Sequence, residues 1–134
     1  MSIGASRIRI QISNVFGATD LPITAASLAL PEGGKAGVGG IQTSTLKALT
    51  FNGAASITIP RGQVAYTDAL DFTIAPQSMI SVSLYLANGQ QGQTITGHPG
   101  SRTTSWMQQG NQVNSTTVTG GDTKHWCVHS IKIH

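Results

Sequence analysis

The chain has 134 residues, of which 39% are hydrophobic and only 10% charged, with a formal net charge of +3 and a pI near 9.4. That length is close to the commonest size of one domain, so a single unit spanning residues 1–134 around one core is expected. The eight basic residues are scattered from Arg7 to Lys132 with no cluster carrying interleaved aromatics, which argues against nucleic acid, and no apolar run approaches the eighteen or so residues of a membrane span.

With so little charge, solubility rests on Ser, Thr, Gln, Asn and 16 glycines, a balance common in extracellular β proteins. Cys127 is the sole cysteine, so no internal disulfide forms, and a buried small hydrophobe is its expected role. Residues 1–5 carry no signal-peptide pattern.

In chain order, Arg7 to Ser13 sets Ile8, Ile10 and Ile12 on one face and Arg7, Arg9 and Gln11 on the other, the alternation of a half-buried strand. Turn chemistry follows from Asn14 to Pro22, then ITAASLAL at 23–30 predicts a strand that alternates less cleanly. A glycine-rich loop covers 31–40. Asn52-Gly53 predicts a hairpin between strand-like LKALTF and SITIP, because both turn residues tolerate positive φ. QVAYT at 63–67 and LDFTIA at 70–75 read as short strands. MISVSLYLA follows, where Ile80, Val82, Leu84 and Leu86 share a face, predicting a central core strand.

From Asn88 the composition turns polar, predicting long exposed connections with few core residues, chiefly Ile95, Trp106, Met107, Val113 and Val118. The closing HWCVHSIKIH predicts an edge strand, because polar residues occupy both of its faces. No useful length shows helical periodicity, and turn signals recur about every 8–12 residues, so the expected fold is all-β: an antiparallel β-sandwich, jelly-roll-like.

Chemistry has few places to reside. Asp68 and Asp71 are the only carboxylates close in sequence, and turn duty at the start of a strand is expected of them rather than glycosidase chemistry. His125 and His129 lie four apart, a spacing that suits a helix and not a strand, so no metal site is expected; nor does any motif require a cofactor. Asp122 and His125 form a D-x-x-H, but neither G-x-S-x-G nor G-D-S accompanies it, so there is no nucleophile for it to serve.

Four stretches, SIGASRIRIQISNVFGATDLPITAASLAL, LTFNGAASITIP, ISVSLYLA and TGHPGSRTTSW, together resemble the β domain that precedes the catalytic serine block in secreted SGNH (GDSL-like) esterases. The resemblance spans about residues 2–126 and is specific in order: ISNVFG after the first strand, the Asn-Gly hairpin, and T-G-H-P at 96–99 after the long strand. It implies a sandwich that packs beside an α/β hydrolase domain holding the serine, oxyanion-hole and D-x-x-H residues. None of those motifs has a counterpart here, so Asp122 and His125 do not map onto the family's catalytic pair.

The resulting expectation is a non-catalytic, extracellular binding module whose partner is a glycan or a cell-surface protein. The alternative is a fragment of a secreted esterase that needs a hydrolase domain. Trp106, Arg102, Gln108, Tyr66 and His98 are the candidate binding residues, aromatic faces and amides being suited to sugar rings. A domain lacking its packing neighbour could also cover an apolar face by homo-oligomerising. Asn114-Ser115-Thr116 is a glycosylation sequon, used only in a secretory pathway.

Overall fold

The computed structural model describes residues 3–94, 96–97 and 104–119, together with the backbone of 132–133. It is all-β, with ten short strands among the described residues: β1 Ala5–Ile8, β2 Ile10–Ser13, β3 Leu21–Ile23, β4 Ala25–Ala29, β5 Lys47–Ala48, β6 Ile57–Ile59, β7 Val64–Tyr66, β8 Leu70–Ile74, β9 Ser81–Tyr85 and β10 Lys132–Ile133. Two single-turn 3₁₀ segments, Glu32–Gly34 and Thr43–Thr45, are the helical content among the described residues. Every ladder is antiparallel. The orders are β1-β8, β10-β2-β7, β3-β6 and β5-β4-β9.

The alternating segment from Arg7 to Ser13 buries Ile8, Ile10 and Ile12 as its period of two requires. It runs as two strands, β1 against β8 and then β2 against β7, broken where Thr67 takes over part of the ladder. The Thr67 amide donates to Ile10 O at 2.9 Å, but the Ile10 amide donates to Thr67 Oγ1 at 3.0 Å. That hydroxyl then donates to Asp68 O at 3.0 Å. A buried threonine thus stands in for a main-chain acceptor and keeps a break in the ladder free of unpaired groups.

The uneven alternation of ITAASLAL has a structural reason. Leu21–Ile23 pairs with β6, while Ala25–Ala29 lies between β5 and β9. Thr24 marks the change of sheet, its amide donating to Tyr85 O and its hydroxyl accepting from the Ala87 amide. Ala26 and Leu28 face the core. Ser27, on the opposite face, is also buried because Val113 lies over it and accepts the Ser27 hydroxyl at 2.6 Å. Small side chains suit a strand covered on both faces.

This geometry corrects the central position expected of MISVSLYLA. Among the described residues β9 is at the edge of its sheet and is half-buried, and β4 is the central strand. Ile80, Val82, Leu84 and Leu86 do pack against the core, but from its margin. The described residues after Asn88 are mostly exposed, as expected, with Val113 buried among them; Thr96 is an additional buried residue that the sequence did not indicate. β10 occupies a sheet edge, beside β2.

One cluster of Ile8, Ile10, Ile12, Leu21, Ile23, Ala26, Leu28, Leu49, Phe51, Ile59, Phe72 and Ile74 forms the core. Each fully buried Ile or Leu contributes about 1.5–3 kcal/mol. Among these apolar groups lies one amide, Asn14, fully buried just past β2. Its Nδ2 donates to Thr19 O at 2.9 Å and to Ile59 O at 3.0 Å. Its main-chain N–H donates to Gln63 O, and its carbonyl accepts from the amides of Gly17 and Gly62. Asn14 Oδ1 has no hydrogen-bond donor and instead lies against Gly17, where a Cβ would overlap it.

Asn14→Ala removes the Nδ2 donor from the carbonyls of Thr19 and Ile59 and leaves a cavity, and a loss of about 2–4 kcal/mol in urea unfolding is expected. Gly17→Ala should be comparably damaging, and the double variant less than additive because the clash needs both partners. Additive losses would show that the two residues act separately.

Candidate functional site

Of the five candidate binding residues, Arg102 and His98 lie outside the described residues, as do Asp122, His125, Cys127, His129 and His134. The other three fall on two separate parts of the molecule. Tyr66 is on β7, with its side chain 45% exposed and its hydroxyl accepting from Gln11 Nε2 at 2.7 Å across the β2-β7 pair. Trp106 and Gln108 belong to the 104–119 segment, which runs against the glycine-rich loop.

That second region is held by a small ladder. Ile41 N donates to Thr116 O and Val118 N to Gly39 O, flanking a Gly40–Thr117 bridge. Gly39 is required by closeness of approach, because a Cβ there would meet Val118 O and would come to 3.7 Å from the Trp106 ring. Trp106 is accordingly half-buried beside this loop. Gln108 is exposed, but its Oε1 accepts the Thr119 amide at 3.0 Å, a contact that fixes the loop itself.

Ile3 at 72% and Met107 at 53% are exposed, and a further group of exposed apolar side chains lies along β7 and just past β2. Phe16 is 71% exposed, and Val15, Val64 and Tyr66 are each at least 40% exposed. Val64 and Tyr66 point to the same side of β7, opposite Ala65, which packs on the core. Val64 pairs with Ser13, and Val15 and Phe16 come just past Asn14, so these three lie toward the Ser13 end of the β2-β7 ladder, while Tyr66 pairs with Gln11 at its other end.

The backbone beneath Phe16 is fastened. Its amide donates to the buried Thr96 Oγ1 at 2.9 Å, and the flanking turn hangs on Asn14. Residues 88–94 brace the far side, through Ala18 N to Thr94 O and Thr19 Oγ1 to Gln91 O. The sequence held a signal for this face: an adjacent Val-Phe pair inside turn chemistry, where a buried role has no strand to support it.

Three of the described carboxylates, Asp20, Asp68 and Asp71, make structural contacts. Asp71 pairs across the strands with Arg7 at 3.5 Å, an exposed bridge of little energetic weight. Asp20 Oδ1 accepts the Arg61 amide at 2.9 Å. Asp68 clasps the Asn52-Gly53 turn, Oδ1 accepting from the Asn52 amide and Oδ2 from the Gly53 amide and the Thr50 hydroxyl. Its own amide donates to Thr50 O. The turn has positive φ at both central residues and a closed Phe51–Ala54 bridge. Its arms then separate, β5 to β4 and β6 to β3, so the predicted hairpin is a turn joining two sheets.

A groove of about 220 Å³ lies between β5 and β8, lined by Leu30, Thr45, Lys47, Asp71, Phe72 and Thr73. It is smaller than the roughly 300–1,000 Å³ of ordinary ligand pockets and contains none of the candidate residues. Among the described residues no three His, Cys, Asp or Glu side chains gather as a metal site would require, and no helix is long and apolar enough to cross a membrane.

The Thr50 hydroxyl, then the Gly53 and Asn52 amides, hold the Asp68 carboxyl below its ordinary value of 3.8. A carboxylate depressed on folding stabilises the native state above the unfolded pKa, and that contribution fades as pH falls through the folded one. Asp68→Asn should therefore unfold at lower urea than the parent at pH 7, with the gap narrowing as pH falls below about 4. A gap that does not change with pH would assign the loss to shape and not to charge.

No model of a known protein family matches this chain, and no curated protein matches it.

Proposed function

We propose that the chain is a non-catalytic interaction module, related to the accessory β domain of SGNH esterases, whose partner is a protein docked on the face around Phe16. The observation that carries this reading is the exposed Phe16, with Val15 and Val64 exposed near the same end of β2, on a backbone fixed from beneath. A large aromatic side chain held in water by a rigid support is the usual form of an interface anchor, because little entropy is lost when it docks. Trp106, half-buried beside Gly39, offers less free ring to a sugar than the glycan version requires.

The partner chemistry comes from the resemblance: an α/β hydrolase domain, on which the module packs as a jelly-roll-like sandwich outside the cell. The fragment alternative uses the same contact, with the hydrolase domain supplied by a longer chain. In both, turnover resides in the partner. A homo-oligomer formed through the same face is a competing occupant.

The test is calorimetric titration of the purified chain with an SGNH-type hydrolase domain stripped of its own β domain. Binding is expected, with Phe16→Ala weakening it by about tenfold or more while leaving the urea midpoint unchanged, since the side chain lies in water. Binding that survives Phe16→Ala, or no binding at all, overturns the proposal. So would a glycan-array signal lost in Trp106→Ala and retained in Phe16→Ala, or light scattering that shows a dimer disrupted by Phe16→Ala. The chain alone should hydrolyse aryl acetates no faster than buffer, and turnover blocked by a serine inhibitor would contradict the non-catalytic assignment.

A further inference from the structure

Five asparagines occur in the chain, and Asn114 alone is followed two residues later by Ser or Thr. Asn14, Asn52, Asn88 and Asn111 precede VF, GA, GQ and QV. The fold places this single sequon at a surface turn. The Ser115 amide donates to Gln112 O at 3.0 Å, closing a turn with Val113 and Asn114 at its centre. The two central residues point opposite ways: Val113 is buried, while Asn114 is exposed.

Anchors on both sides fix this turn without using the sequon's own reactive groups. On one side the Val113 carbonyl accepts the Ser27 hydroxyl from β4; on the other the Thr116 carbonyl accepts the Ile41 amide. The middle residue, Ser115, directs its hydroxyl to Gln112 Oε1. Among the described residues the Asn114 carboxamide and the Thr116 hydroxyl have no hydrogen-bond partner, and both residues are exposed. A folded product can therefore carry a bulky substituent on Asn114 Nδ2 with no core contact or loop anchor displaced.

We propose that Asn114 is an N-glycosylation site, modified when the chain passes through a compartment that contains an oligosaccharyltransferase and a polyprenyl-diphosphate-linked oligosaccharide. Asn114 Nδ2 attacks the anomeric carbon of the donor sugar. The N–C bond forms as the sugar C–O bond to phosphate breaks, the polyprenyl diphosphate leaves with the electron pair, and one amide proton passes to a base. Thr116 supplies the hydroxyl that completes the acceptor motif. The site is independent of the Phe16 face, and either can fail without the other.

The full chain, placed behind a cleavable secretion leader and a tag with one sequon of proven use, is secreted from a eukaryotic host. Two glycans are expected, one on the tag and one on tryptic peptide 103–124, and peptide N-glycosidase should convert Asn114 to Asp. Asn114→Gln and Thr116→Ala should each remove one mass step, while Ser115→Ala, which preserves the motif, should retain it. After release from the host, Asn114→Gln should unfold at the same urea concentration as the parent. A glycosylated tag with an unmodified Asn114 overturns the proposal, as does a second mass step that persists in Thr116→Ala.

Discussion

The buried carboxamide of Asn14 is the constraint on which the arrangement of this domain turns. It sits where β2 ends, fully enclosed, and its two N–H donors reach Thr19 O and Ile59 O, while its main chain bonds with Gln63, Gly17 and Gly62. The 14–20 turn and the continuous stretch of β6 and the turn at 60–63 thus meet at one residue. A buried polar group is costly unless paired, so it fixes a single arrangement where apolar packing would tolerate several. Gly17 is the other half of the device, since only a residue without a Cβ can lie against Asn14 Oδ1.

The same constraint explains why Phe16 can stand in water. Two residues from a fully buried amide, its backbone cannot turn inward to hide the ring, and Thr96 Oγ1 holds its amide from the far side. The core is completed without it by the isoleucines of β1, β2, β3 and β6. Exposure of the ring is therefore a property of the framework and not of a loose loop. Such a face suits a partner large enough to cover Val15 and Val64 along with Phe16, which a protein surface does more readily than a single sugar.

Period-two alternation was enough to place Ile8, Ile10 and Ile12 in the core and to make the fold all-β, because each residue's face is decided by its neighbours along the strand. The same logic failed at Ile80, Val82, Leu84 and Leu86, since alternation reports a buried face but not how many strands lie on either side. It also missed Thr96, a polar residue buried through the hydrogen bond that its hydroxyl accepts from the Phe16 amide. Asn52-Gly53 showed its turn locally, but the parting of its arms depends on β3 and β4, far away in sequence. As for the candidate site, Tyr66 was legible as an exposed aromatic, whereas the role of Phe16 depends on the Asn14 clasp and no local pattern reveals it.

Rigid display of Phe16 by Asn14 is open to direct measurement by amide hydrogen exchange on the unmodified chain. The amides of Asn14, Phe16 and Gly62, which donate to Gln63 O, Thr96 Oγ1 and Asn14 O, should exchange as slowly as those of Thr67 and Leu49 in the core ladders. Exchange of the first three at the rate of an open loop, while Thr67 and Leu49 stay protected, would contradict it.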